Sequence, residues 1–401
     1  MFRRRSLTAT TNGDGALVGL DLNSSRIRAV SGPPGLAQPL SFDGAEGELP
    51  LAISLEGRHP EAGRAGLALC RRLPHLACLD FLPCLGQPRQ WTAGRHCLTA
   101  AEAISLVLQR LQSGCSGLRG CVAAIPSSLT VEQIELFAAL AVKAGLPLLG
   151  LVASPLAAAW AAPGEKPWSG STIIVDIDDH ALTWAVVSTA EKSATPATLV
   201  LSYSLTLPTL GLRGWKQRLV NAIAERCIRH SRRDPRECAQ AEQMLFEQLD
   251  TAMEKCRLGE LAEIDIQATH WYQNFYLRPD EMELYCAPLL QPVTEAMDEA
   301  LTAIPVDGPP SILIVTTAAA RLPGLLAAVQ DRTTQQTRIV TLAPDAVARA
   351  AHEFAAGIAE GRLPRGPLET VPAPVGRRQP HAVANIAKDQ RVRARLMGTD
   401  R

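Results

Sequence analysis

This chain of 401 residues carries no net charge, because 40 Lys and Arg residues balance 40 Asp and Glu residues. That balance argues against a nucleic-acid binder, which needs a basic face to meet phosphates. The sequence has no apolar run long enough to cross a bilayer, so no membrane span is expected. Its opening residues, MFRRRSLTATTNGDG, have arginines but no apolar stretch after them, so no signal peptide is expected and the location reads as cytoplasmic. The ten cysteines include no CxxC pair, and the eight histidines form no HxxxH or HExxH. A zinc site is therefore not expected, and the cysteines read as small buried thiols of a reducing compartment.

What is present is a duplication. The segments ALVGLDLNSSRIRAV around Asp21 and TIIVDIDDHALTWAVV around Asp176 lie about 155 residues apart and share one pattern. In each, an apolar strand ends on an aspartate, a short polar turn follows, and an alternating strand returns. Such a repeat predicts a two-lobed α/β protein whose turns face each other across a cleft. Turns that grip phosphate favour glycine, which lets successive N–H groups converge on an anion. Here they read Asn23, Ser24, Ser25 and Asp178, Asp179, His180.

The remaining pattern divides the chain into a flexible lead (1–15), a first lobe (16–165) and a second lobe (166–361). A proline-broken insertion at about 37–98 interrupts the first lobe, and a mainly helical one at about 222–308 interrupts the second. Thr99 and Thr130 are placed to cap helices, the latter with Gln133 three residues on and Gly145 as the stop. In HWYQNFYL the alternation puts Tyr272, Asn274 and Tyr276 on one strand face and Trp271, Gln273 and Phe275 on the other. Residues 362–401 turn to Pro, Gly and Arg and are expected to form a disordered tail.

Five further stretches carry a resemblance. VAAIPSSLTVEQIELFAALAVKAGLPLLGLVASPLAAAWA, LGLRGWKQRLV, EKCRLGEL, VTTAAARLPG and APDAVARAAHEFAAGI occur in this order. Together with the two turns they resemble the ATPase domain of the seventy-kilodalton heat-shock chaperone family, within the actin and sugar-kinase superfamily. The similarity spans roughly residues 16–361 and implies an actin-like fold of two lobes, each on a mixed five-stranded sheet. It also implies ATP or ADP bound between the lobes, with Mg²⁺ held through water by Asp21 and Asp176, the vestiges of a catalytic pair. Asn23, Ser24 and Ser25 would face phosphate, joined by Gly211. Glu254, Arg257, Arg321 and Asp345 would stand on the adenosine side.

Departures from the family pattern weaken the chemistry that the resemblance implies. Its catalytic lysine falls on Leu82, its second-lobe glycines on Asp178, Asp179 and His180, and its connecting glutamate on Ser154. A leucine can neither bind a γ-phosphate nor orient water. Two extra carboxylates beside a polyphosphate cost energy. For Asp21 and Asp176 the alternative to metal coordination is that each carboxylate caps its own turn. For Asp178, Asp179 and His180 the expectation is a solvated turn, not a metal site. The family's peptide-clamping domain has no counterpart in the residues after 361, so peptide capture of that kind is not expected. Three functions remain in view: a nucleotide-binding protein with weak or no hydrolysis that acts through protein partners, a slow ATPase using His180 or Arg213 as substitutes, and an actin-like assembly scaffold that needs no nucleotide.

Overall fold

The computed structural model describes residues 15–42, 45–115, 117–162, 170–190, 197–304, 310 and 312–374, and the protein is mixed α/β. Both duplicated segments fold as strand–turn–strand hairpins. In the first, β1 (Ala16–Leu22) pairs antiparallel with β2 (Arg26–Ser31), which pairs with the short β3 (Gln38–Pro39). On the other side of β1 run β4 (Leu118–Ile125) and β5 (Leu148–Ala153), both parallel to it, giving the order β5-β4-β1-β2-β3. The second hairpin joins β6 (Ser171–Ile177) to β7 (Leu182–Ala190), with β8 (Thr198–Leu207) beyond and β9 (Ile312–Val315) and β10 (Arg338–Thr341) on the parallel side. Its order, β10-β9-β6-β7-β8, repeats the first in sequence and in strand sense.

Parallel neighbours require long crossovers, and helices supply them. Before β4 stands α1 (Ala100–Gly114), started by a capping box in which Thr99 and Glu102 exchange hydrogen bonds. Between β4 and β5 stands α2 (Val131–Lys143), started in the same way by Thr130 and Gln133. Gly145, at φ 79, ends the passage in the left-handed region that glycine tolerates.

Two helices change sides. The helix after β5, α3 (Ser154–Ala161), packs on β6, β7 and β8 of the second sheet. The helix after β10, α7 (Ala346–Ala359), packs on β1 and β4 of the first. Between the two sheets they form a shared apolar core that includes Val122, Leu156, Ile174, Val187, Ile314 and Phe354. Separate cores lie on the outer faces of the two sheets. The close approach of α7 depends on Gly19 in β1, where a Cβ would collide with the Ala348 carbonyl and the His352 backbone.

The insertion in the first half is built from a three-stranded sheet (Ala52–Ser54, Glu61–Ala62, Ala77–Leu79) and the hairpin Gln90–Ala93/His96–Thr99. That in the second half contains α4 (Leu212–Ser231), α5 (Ala239–Leu258), the hairpin Ala262–Ala268/Trp271–Leu277 and α6 (Pro279–Thr302).

One expectation is corrected at the C-terminal end. Residues assigned to a disordered tail form two short strands: Gly366–Leu368 adds parallel to β5, and Thr370–Pro372 adds antiparallel to β8. Leu368 and Val371 are buried there, so the chain stitches the edges of both sheets together. The rest of the expected tail, 375–401, and the lead, 1–14, lie outside the described residues. Among the described residues no helix is long and apolar enough to cross a membrane.

Candidate functional site

The two hairpin turns meet between the sheets, and they are built alike. In the first, the Asn23 amide donates to the Arg26 carbonyl (3.0 Å), while Asn23 Oδ1 accepts from the amides of Ser25 (3.0 Å) and Arg26 (2.9 Å). In the second, the Asp178 amide donates to the Ala181 carbonyl (2.9 Å), and Asp178 Oδ1 accepts from the amides of His180 and Ala181 (2.8 Å each). Both are side-chain turns of the Asn/Asp kind. The turn capping that is the alternative role for Asp21 and Asp176 is thus performed two residues later, by the side chains that stand in place of glycine, while Asp176 Oδ1 accepts from the amide of Ile177 (2.9 Å).

Asp178 goes further. Its second oxygen accepts from the Ser24 amide across the cleft at 3.3 Å, so one carboxylate collects N–H donors from both turns. The residue is only 7% exposed, which corrects the expectation of a solvated turn at this position, whereas Asp179 and His180 are half-buried. Behind it, the amides of Leu212 and Arg213 at the start of α4 donate to the carbonyls of Asp178 and Asp179. Gly211 permits this docking, since a Cβ there would strike the backbone of His180 and Asp179.

Asp21 and Asp176 do come together, lining one cavity with Asn23, Arg26, Ser154 and Thr316. Its volume is about 20 Å³, room for about one water. Thr316 Oγ1 donates to Asp176 Oδ1 at 2.7 Å. Burial pushes the Asp176 carboxyl up to about 6, against the Thr316 hydrogen bond, with the negative charges of Asp21 and Asp178 adding to the rise. Burial likewise raises Asp21 and Asp179.

Sequence reasoning missed two cations here, Arg26 and Arg28. They lie two apart on β2 and so share a face. The hairpin register sets Arg28 directly opposite Asp21, and the neighbouring strand Glu48–Pro50 sets it opposite Glu48. Arg28 is buried, ion-paired to Glu48, and donates to the Pro344 carbonyl at 2.8 Å, which ties the first sheet to the loop before α7. The charges of Glu48, Asp21, Asp179 and Asp176 together outweigh the burial of Arg26 and raise its pKa. Arg26 lines the cavity of Asp21 and Asp176, and its ion pair is with Glu48, 3.5 Å from Nε. The Ser24 hydroxyl is buried without a hydrogen-bond partner, and Arg26 Nε, which also makes no hydrogen bond, has only its ion pair with Glu48.

A second polar group closes the front of the cleft. Asp80, from the first insertion, ion-pairs with Arg213 and accepts a hydrogen bond from His180 Nε2 at 3.0 Å. Burial favours its neutral form, but the hydrogen bonds from His180 and Arg213 outweigh that and hold the carboxyl far below its usual range. Asp80 adopts φ 62, a conformation that costs a non-glycine residue about 1 kcal/mol. Nearby, Arg71 bonds Glu242 (3.2 Å) and Gln217 (2.9 Å) and lies 4.8 Å over the Phe246 ring.

The adenosine-side residues form pairs of their own. Glu254 takes Arg257 and Arg321 (2.6 and 2.9 Å), and Asp345 takes Arg349 (2.7 Å). None of Glu254, Arg257, Arg321 and Asp345 lines the cavity of Asp21 and Asp176. Leu82, at the lysine position, is fully buried in the first outer core.

A magnesium nucleotide does not fit this donor set. The turn amides already serve Asn23 and Asp178, an arginine stands among the aspartates, and the cavity is far below the several hundred Å³ that ligand sites of this kind occupy. Among the described residues no group of three or more His, Cys, Asp and Glu side chains is placed to hold a metal. No protein-family model matches this sequence, and no curated protein matches it.

Proposed function

We propose that this chain is a heat-shock-seventy-like protein of actin-like fold whose cleft is filled by its own side chains and which acts through protein contacts, as an assembly or scaffold component. The repeated five-strand order and the exchanged helices α3 and α7 favour the actin-like reading. One observation carries the functional part. The Asp178 carboxylate accepts hydrogen bonds from Ser24, His180 and Ala181, the amides that a phosphate would need. A phosphate entering this site has to displace a buried carboxylate and then remain beside it, and both steps are opposed by charge. Arg26 adds a fixed positive charge to the lining of the same cavity, which further disfavours a metal ion there. The slow-ATPase alternative loses support because both substitutes it calls on, His180 and Arg213, are bound to Asp80.

The test is thermal unfolding with millimolar Mg·ATP and Mg·ADP. No shift is expected. Saturation at about 100 times Kd would add about 2.7 kcal/mol, visible as a rise of several degrees, and that result would overturn the proposal. As a positive control, Asp178→Gly combined with Asp179→Gly should free the turn amides and create a measurable stabilisation by inorganic pyrophosphate that the parent chain lacks.

A further inference from the structure

The hairpin Ala262–Ala268/Trp271–Leu277 is a sheet of two strands, so each strand has one edge without a neighbour. The two edges are treated differently. Along Ala262–Ala268, the Gln248 side chain of α5 covers the edge: its Nε2 donates to the Asp265 carbonyl at 2.6 Å, and its Oε1 accepts from the Asp265 amide at 2.8 Å. These two bonds fix the phase of the ladder. The backbone groups of Asp265 point away from its partner strand, so Asp265 and Asn274 form a pair without mutual hydrogen bonds. By the same alternation Tyr272, Asn274 and Tyr276 direct their N–H and C=O groups to the opposite, outer edge. Among the described residues nothing bonds those groups. Proteins normally cover or blunt such an edge, because it templates pairing with another strand.

Next to this strand runs a groove of about 470 Å³, lined by Gln273, Asn274 and Phe275 of the strand, Arg226, Arg229 and His230 of α4, and Glu281 and Tyr285 of α6. Arg226 is partly neutralised by Glu281 at 3.3 Å and stacks 4.7 Å over Phe275. Arg229 is exposed and has no ion pair among the described residues. Tyr272 and Tyr276, 63% and 53% exposed, stand on the solvent face of the same strand.

We infer that Trp271–Leu277 is a docking edge for an extended acidic segment of a partner protein, which adds as a third strand and sets its carboxylates against Arg229 and His230. Main-chain hydrogen bonds supply affinity in this mode, and the side chains beside the edge select the partner. The inference concerns a different surface from the cleft and stands whether or not nucleotide binds there.

The experiment uses the full chain and fluorescein-labelled peptides of about ten residues that alternate Glu with Val or Tyr. Control peptides carry Lys for Glu, or N-methyl groups on alternate amides. Saturable, salt-sensitive binding of the acidic peptide is expected, with slowed hydrogen exchange at Tyr272, Asn274 and Tyr276. Affinity should fall about tenfold or more in Arg229→Glu, whose fold is checked by its unfolding temperature, and equally with the N-methylated peptide on the unaltered chain. The inference is overturned by absent binding, by binding that N-methylation leaves unchanged, or by full competition from pyrophosphate without exchange protection, which would mark a small-anion site.

Discussion

Asp176 concentrates the electrostatic tension of the site in one titratable group. Its carboxyl titrates near 6 in the folded protein, above the value of about 4 for an exposed aspartate. The folded state therefore holds this proton more tightly than the unfolded state does. The associated stability is complete at and below about pH 4, declines as the pH rises, and is gone above about pH 6. Asp176→Asn keeps an acceptor for Thr316 while removing the charge. Chemical denaturation should find the variant about 1–2 kcal/mol more stable than the parent at pH 8, a value discounted for partial exposure, and nearly equal at pH 4. A constant difference across that range would show that the carboxylate is not held against its own burial. The placement of Asp21 and Asp176 between the sheets was legible from the duplicated hairpins. The roles of Asn23 and Asp178 were not, since a polar residue in a glycine position reads as damage until the paths of both turns are known. Arg26 and Arg28 offered a usable signal, two cations of one strand face beside an aspartate, which attention to the phosphate turns passed over.

At the scale of elements, local rules acted where the sequence is self-sufficient. Thr99 with Glu102 and Thr130 with Gln133 are complete capping signals, and both helices begin where these residues stand. Alternation in WYQNFYL likewise set Trp271, Gln273 and Phe275 on one face and Tyr272, Asn274 and Tyr276 on the other, and the structure buries Gln273 and exposes Tyr272 and Tyr276. Partner choice between elements is another matter. The periodicity of α7 shows that it has an apolar face but not which sheet that face meets, and β1 reveals the answer only through Gly19. The strands at Gly366–Leu368 and Thr370–Pro372 are three residues each, too short for periodicity, and exist because two sheet edges are available to them. Gly19→Ala tests the crossing of α7. The added methyl has no room before the Ala348 carbonyl, and the helix is held on both sides by the shared core. A loss of about 3 kcal/mol in denaturant unfolding is expected, at the upper end for overpacking. A loss under about 0.5 kcal/mol, the range of ordinary surface changes, would mean that α7 does not lie against β1 as described.

For the whole molecule, the question is what keeps the two halves together around the cleft. At the back, α3 and α7 are buried in each other's sheets and cannot separate without exposing the shared core. At the front, contact rests on polar groups, chiefly Asp80 with Arg213 and His180, and Arg71 with Glu242 and Gln217. The back is therefore held by apolar packing and the front by a polar catch, so the front is expected to open first. Because partner hydrogen bonds hold the Asp80 carboxyl well below its ordinary value, its contribution is present above about pH 4 and is lost as the pH falls further. Asp176 changes stability in the opposite sense between about pH 4 and 6, so these two groups together place the maximum near pH 4. Asp80→Asn tests the catch, and asparagine tolerates the left-handed backbone at this position. At pH 7 the variant should exchange the amide protons of Ser24, His180 and Ala181 faster than the parent, while amides of β1 and α7 remain equally protected. Below pH 4 its stability should fall less steeply, since the proton uptake of Asp80 is absent. Equal acceleration in α7 would instead make Asp80 a general stabiliser and leave the front of the cleft without a catch.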